Sequence, residues 1–399
     1  MTPWKKTFVS AFVAQVFSIV GFSFVLPFLP YFVGELGDFT KLEQARWAGY
    51  VMSGAGLTLA VFALPWGMLA DRYGRKAMVV RAMVGGTIVL NLMASVETVQ
   101  QLIVCRLLQG ALTGTVAASV ALVASVVPSR RSGFALGMMQ SAVMIGMALG
   151  PFLGGIAADH FGYRTTFRLG SLIVLCGSMV TYFGIKEDFS PPARDEHAVR
   201  LGFRELVTTG GFLGGVFVLF SSRFSHTVAM PSFPLIVEEL LGTRENLNSV
   251  TGSMVGCSAV GAAVSAAVLG FCADSWGPRR ILVACCLGGA VTALVHAVVQ
   301  TVPQMYVLRV LHALAIAGMM PAGNAIIRRF TDRENVGKAF GVATALSTGG
   351  LALGPWVGGE MASEWGLRTP FVVQSAALVG VAVLAMVLLP GRRRAQADA

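Results

Sequence analysis

Of 399 residues only 13% are charged and 55% are hydrophobic, against about 25% charged in an ordinary soluble chain; the mean hydropathy is +0.71. That balance excludes a water-soluble fold, and no polar stretch is long enough for a second, soluble domain. The net charge of +10 does not point to nucleic acid, because the 30 Lys and Arg punctuate apolar runs instead of lining a polar face.

At about 20 apolar residues per crossing, the chain divides into twelve candidate spans. They lie at about 7–34, 48–70, 77–96, 99–127, 133–158, 166–186, 206–240, 249–272, 279–299, 304–327, 337–360 and 370–390. The runs are long and do not alternate, so they predict helices and not barrel strands. MTPWKK and the apolar run after it read as a first span, too long for a signal-peptide core. The six cysteines, Cys105, Cys176, Cys257, Cys272, Cys285 and Cys286, lie in apolar runs without metal or disulfide spacing and read as small hydrophobes. One linker, 187–205, is polar and proline-bearing. It splits the spans into bundles at 1–186 and 206–399 around a central loop. With a cytoplasmic N-terminus, 21 Lys and Arg fall on inner segments and six on outer ones, which places both termini in the cytoplasm.

The halves repeat. LPFLPYFVGELG (26–37) matches MPSFPLIVEELLG (230–242), with Pro27 and Pro30 over Pro231 and Pro234. GMLADRYGRK (67–76) matches GFCADSWGPR (270–279), and Arg106 matches Arg309. GMALGPFLGG (146–155) matches GLALGPWVGG (350–359), followed by GYRTTF over GLRTPF. The offset is 203 or 204 residues throughout. Two parallel six-helix repeats imply a pseudo-two-fold axis along the membrane normal, a transporter architecture.

These motifs closely resemble the major facilitator superfamily, and within it the twelve-span drug:proton antiporter branch, over nearly the whole chain. GMLADRYGRK is similar to the loop 2–3 signature at Gly67, Asp71, Arg72, Gly74, Arg75 and Lys76. RLLQG (106–110) is similar to the span-4 signature, GMALGPFLGG to the span-5 antiporter signature, and GFSFVLP (21–27) to the span-1 pattern. The fold implied is all-α and integral to the membrane: twelve helices in two pseudo-symmetric six-helix bundles.

Physical chemistry gives each motif a reading. In loop 2–3, Gly67 and Gly74 permit close approach and a tight turn. Asp71, with its copy Asp274, sits among cations between helix ends, where it either locks one conformation, as the resemblance implies, or merely accompanies topology anchoring. In span 5, Gly146, Gly150, Gly154 and Gly155 form a small-residue face bent at Pro151, and Gly354 and Pro355 repeat it. That face is either a deformable seam against leak or a packing device. A charge at mid-span costs roughly 2.5–3.5 kcal/mol on insertion scales, so Arg106, Arg223 and Arg309 should face a cavity. The resemblance implies a proton-coupling role for Arg106.

None of the 20 acids lies near mid-span, a departure from the embedded carboxylate of many exporters of lipophilic cations. The expected cavity is therefore basic. His226 follows Arg223 by three residues and His312 follows Arg309 by three, so each pair shares a helix face. Either histidine carries the coupling proton or both are hydrogen-bonded packing elements. Gln15 and Asn324 join the cavity set because spans 1 and 10 line it in relatives. Asn91, Gln140, Gln374, Trp66 and Trp356 read as interhelical bonds or interfacial aromatics.

No phosphate loop or metal motif occurs, so neither enzymatic activity nor a cofactor is expected. The favoured function is export of a small organic molecule, drug-like, amphiphilic or anionic, from the cytoplasm by proton antiport through alternating access. Proton-coupled import of a metabolite is the alternative, and a non-transporting scaffold the third reading. The expected partners are substrate, protons and the lipid bilayer, for a monomer in the plasma membrane, the inner membrane if bacterial.

Overall fold

Long apolar runs in lipid must satisfy their backbone groups internally, and every regular element among the described residues is helical. The computed structural model describes residues 3–187, 210–331 and 336–388. The central loop, apart from Glu187, lies outside that set, as do residues 206–209 at the start of the seventh predicted span.

In chain order the helices are α1 (Pro3–Ser23), α2 (Leu29–Glu35), α3 (Lys41–Tyr73), α4 (Arg75–Met93), α5 (Val99–Leu112), α6 (Thr115–Val126) and α7 (Ser132–Gly184). Then come α8 (Gly210–Thr227), α9 (Phe233–Leu241), α10 (Leu247–Trp276), α11 (Pro278–His296), α12 (Val302–Ile316), α13 (Met319–Arg329), α14 (Val336–Trp365) and α15 (Thr369–Leu388). Among the described residues nine helical stretches are long and apolar enough to cross a membrane, or ten if the bent pair Lys41–Ala63 and Pro65–Tyr73 is one span. The longest, α7, covers two predicted spans and leaves helical geometry at Gly162 (φ 74, ψ 167).

Local chemistry sets the breaks. The first span ends its long helix at Ser23, turns through the 3-10 segment Leu26–Phe28 around Pro27, and resumes in α2 with Pro30 in its first turn. Proline is tolerated there because first-turn N–H groups have no intrahelical acceptor. The seventh span repeats the break between α8 and α9, with Pro234 at the second residue of α9. Gly74 (φ 94) and Gly277 (φ 92) occupy matching left-handed positions before α4 and α11, which is why the repeat keeps glycine at both.

The described residues group into two compact units: Met1–Phe39, Gly54–Arg194 and Gly242–Val260 in one, Thr40–Ser53, Asp195–Leu241 and Gly261–Ala399 in the other. In the first, α1 packs along α7, and α4 lies against α7, α5 and α6. Phe28, Phe32 and Phe167 are fully buried there, the last two with ring centroids 5.1 Å apart. In the second, α8 packs on α14 and α13, and α11 on α15 and α12. Leu282, Cys286, Met319, Ala322 and Leu378 form its core, and both Cys285 and Cys286 are buried as hydrophobes.

The sequence repeat reaches individual hydrogen bonds. Ser23 Oγ donates to Gly146 O (3.0 Å) in the first unit, and Thr227 Oγ1 to Gly350 O (3.2 Å) in the second. Arg164 Nη1 donates to Ala94 O (3.0 Å) and Arg368 Nη1 to Ala297 O (3.1 Å). Thr98 and Thr301 cap α5 and α12 by accepting from Gln101 N and Gln304 N.

One cap has no counterpart in the pattern. The Asp159 carboxylate accepts from Asn248 N (3.0 Å), Ser249 N (2.7 Å) and Asn248 Nδ2 (2.8 Å) at the start of α10. A carboxylate against free N–H groups at a helix N-terminus is a charge-assisted cap. Asp159→Ala should therefore cost about 1–2 kcal/mol and lower the melting temperature of the purified protein. Unchanged melting would show that the cap contributes nothing.

Candidate functional site

The signature between α3 and α4 makes its turn at Gly74, but its side chains do not gather on Asp71. Asp71 is exposed and makes no hydrogen bond or ion pair with the described residues. Arg72 lies over the Tyr73 ring at 5.5 Å and Lys76 over Tyr182 at 5.4 Å. Arg75 Nη1 donates to Ala121 O (3.2 Å). The start of α4 is capped instead by Glu187, whose carboxylate accepts from Arg75 N (3.1 Å) and Lys76 N (2.8 Å). The close approach expected at Gly67 is not made, since a Cβ there would meet nothing within 4 Å. Asp274 lies on α10, and its side chain is outside the described set.

The span-4 signature builds a buried polar point on α5. Arg106 is buried, and its Nη1 donates to Gln109 Oε1, one turn on. Gly110 admits α3: a Cβ there would collide with the Ala55 carbonyl and the Thr58 hydroxyl. The RLLQG run thus supplies a cation, its acceptor and the gap that lets the neighbouring helix close over them. On α1, Gln15 is fully buried and neither atom of its amide finds a partner among the described residues. Nearby in sequence, Ser18 Oγ donates to Thr115 Oγ1 (3.1 Å).

The span-5 glycines do pack as one face. Positions for a Cβ at Gly146, Gly150 and Gly154 are taken by Ile19, Ser23 and the Phe24 backbone on and just past α1. Gly155 abuts the Asn248 backbone on α10, and the Pro151 carbonyl fills the same position at Gly252. The second unit copies the arrangement. Gly350, Gly354 and Gly358 face Phe220, Thr227 and Val228, while Gly359 meets the Ala45 carbonyl and Gly49 the Pro355 carbonyl. Each copy thus touches two partner helices through backbone, as small-residue faces in membranes do.

The predicted cations and histidines of the second half come together only in part. Arg309 stands 4.3 Å from the ring centroid of buried Phe233, a cation–π contact. Arg223 on α8 is half-buried with Nε lacking a partner among the described residues. His226 is exposed and Asn324 half-buried, and neither hydrogen-bonds to the described residues.

His312 sits at the repeat position of Gln109, yet it does not bond to its arginine. Its Nδ1 lies 2.9 Å from Thr292 Oγ1, and that hydroxyl donates to Gly288 O and Gly289 O. The ring must then donate from Nδ1, leaving Nε2 to accept from Gln374 Nε2 at 3.0 Å. Gln374 Nε2 also donates to Ser225 O (2.5 Å). His296, absent from the expected set, completes the cluster: it stacks on Phe371 (5.1 Å, 3°) and its Nδ1 meets Thr292 O at 2.7 Å. Its sequence signal was the Thr292–His296 spacing of one turn. A second unexpected pair is Arg81, 3.5 Å over the Trp66 ring, whose Nε1 donates to Ala111 O (2.6 Å).

Apolar crossing helices, duplicated packing motifs and an arginine, Arg106, buried in an apolar helix define a multi-pass membrane transporter. The chain belongs to the major facilitator superfamily, whose family model matches residues 11–221 and again 215–398. It is similar to the multidrug resistance protein MdtG of Escherichia coli O1:K1 / APEC, 32% identical over 395 residues that cover 98% of this chain and 96% of that one. MdtG of Escherichia coli K12 / DH10B matches equally. Among solved structures, a bacterial homolog of the human lysosomal transporter Spinster, inward-facing and occupied, superposes with a TM-score of 0.81 at 13% identity, covering 97% of each chain. A D-xylose-proton symporter gives 0.80 at 14% identity, covering 98% of each. This is a transporter family and not an enzyme family.

Proposed function

We propose that the protein exports a small amphiphilic or anionic molecule from the cytoplasm in exchange for protons, by alternating access of two six-helix bundles at 1–186 and 206–399. The full-length similarity to MdtG, a multidrug resistance protein, carries the export reading. The span-5 glycine face, duplicated and packed through backbone in each unit, supports antiport. In this reading the chain has twelve spans, cytoplasmic termini and a place in the inner membrane as a monomer, with 21 inner against six outer cations supporting that orientation.

Arg106, held by Gln109, couples protons, while Gln15, Arg223 and Asn324 line the substrate path. Arg309 gives that path its positive field, which favours an anionic or zwitterionic cargo, and His226 and the neutral His312 lie along it. The lack of a mid-span acid supports the same choice. Asp71, Arg72, Arg75, Lys76 and Asp274 act as the conformational lock. Asp71 without a partner among the described residues corresponds to that lock being released. The alternative, import by symport, draws on the same missing acid and on a fold shared with a D-xylose-proton symporter.

Proteoliposomes carrying a pH dye separate the two. With an inward proton gradient imposed, an anionic amphiphile moving against the proton flow establishes antiport. Movement with the protons establishes symport and rejects export. Uptake limited to lipophilic cations would reject the basic path.

A further inference from the structure

Where α1 begins, five residues line an open surface cavity of about 320 Å³: Trp4, Lys5, Pro128, Arg130 and Arg131. The Lys5 ammonium stands 5.8 Å and the Arg131 guanidinium 5.5 Å from the Trp4 ring centroid, so two cations flank one indole. The turn at Pro128, closed by Arg131 N donating to Pro128 O (2.8 Å), brings Arg130 and Arg131 to that point. Lys5, Arg130 and Arg131 are all exposed, and none has a carboxylate partner among the described residues. Two helix N-termini, of α1 and α7, begin beside the cavity, and neither has an acid in its first turn. Arg131 is the N-cap of α7 and makes no side-chain capping bond. Three cations and two positive helix ends, with no anion among the described residues, amount to a site for a negative charge.

We propose that this cavity binds the phosphate of an anionic phospholipid. Two observations favour a lipid over a soluble anion. The apolar crossing stretch starts at Trp4 itself, so the cavity lies where the helix enters the bilayer, the depth at which tryptophan and headgroups meet. The indole and Pro128 also give the cavity an apolar wall, against which the glycerol and upper acyl carbons of a lipid pack while the phosphate meets the cations. The site belongs to the first unit alone and does not depend on the direction of transport.

The test uses the purified full chain in a neutral detergent, followed by native mass spectrometry and thermal unfolding. Phosphatidylglycerol should bind and raise the melting temperature, whereas phosphatidylcholine with the same chains should not. The Lys5→Gln/Arg130→Gln/Arg131→Gln variant should bind phosphatidylglycerol roughly a hundredfold more weakly. Because that variant also loses three positive charges, Arg280→Gln/Arg328→Gln/Arg329→Gln serves as a charge-matched comparison and should bind as the parent does. Equal weakening in both variants, or equal binding of both lipids, overturns the proposal. So does inorganic phosphate reproducing the whole effect, which would make the cavity a soluble-anion site. Should the first variant fail to fold, Trp4→Ala replaces it, and undiminished lipid binding by that variant counts against the site.

Discussion

Arg106→Gln is expected to cut proton-coupled flux roughly 10- to 150-fold while leaving the protein folded and as stable as the parent or more so. The two effects have separate origins. A buried cation in an apolar helix costs roughly 2.5–3.5 kcal/mol to insert, so removing it relieves the fold. Hydrogen bonds to charged groups are worth about 1.5–3 kcal/mol, and a role that depends on the Arg106–Gln109 bond should lose that amount. The corresponding loss of rate is roughly 10- to 150-fold. Arg106→Lys should not rescue it, because an ammonium is a point donor without the guanidinium's planar fork. Gln109→Ala should reproduce part of the loss by removing the acceptor. Arg309→Gln should cost less, since a cation–π contact is worth about 0.5–2 kcal/mol. Flux and melting measured on the same preparations decide the matter. Parental coupling in Arg106→Gln would remove this residue from the mechanism, whereas joint loss of flux and folding would make it a structural residue.

The features legible in the sequence were those written in one segment or written twice. The repeat at 203–204 residues announced matching features that the structure carries down to Ser23–Gly146 and Thr227–Gly350. Glycine spacing along one helix announced a face, and Gly146, Gly150 and Gly154 indeed meet one strip of chain. Partner choice was not legible where distant segments supply it. Glu187 caps α4 from 112 residues beyond Arg75, and no local pattern marks it. The Thr292–His312–Gln374 chain draws on α11, α12 and α15. Reading His312 from its neighbour Arg309 alone therefore missed its contacts. The repeat also hides divergence: Gln109 serves Arg106, but His312 in the same place serves Thr292 and Gln374. Gly67 shows the limit of motif reasoning, for its signature position faces open space in this structure.

Gly154→Ala should be severely damaging although alanine is the better helix former. On α7 a Cβ at 154 falls onto the Phe24 backbone, with the carbonyl carbon at 2.7 Å and the Cα at 3.0 Å. A backbone segment at a helix break cannot yield as a side-chain tip does. Overpacking of this kind costs about 1–3 kcal/mol and occasionally more, expected as loss of folded protein or a lowered melting temperature with little transport left. Gly137→Ala, on the same helix with nothing within 4 Å, supplies the contrast. It should be neutral or stabilising by up to about 1 kcal/mol, the propensity difference between the two residues. The repeat extends the experiment to the second unit, where a Cβ at Gly358 meets the Val228 backbone, its carbonyl carbon at 2.7 Å. Gly358→Ala should therefore match Gly154→Ala in severity. If the faces only pack, flux should fall in proportion to the folded fraction in both variants. If they move during transport, flux should fall further than folding does. Gly154→Ala behaving like Gly137→Ala would mean that α1 and α7 are not held at this distance in the working protein.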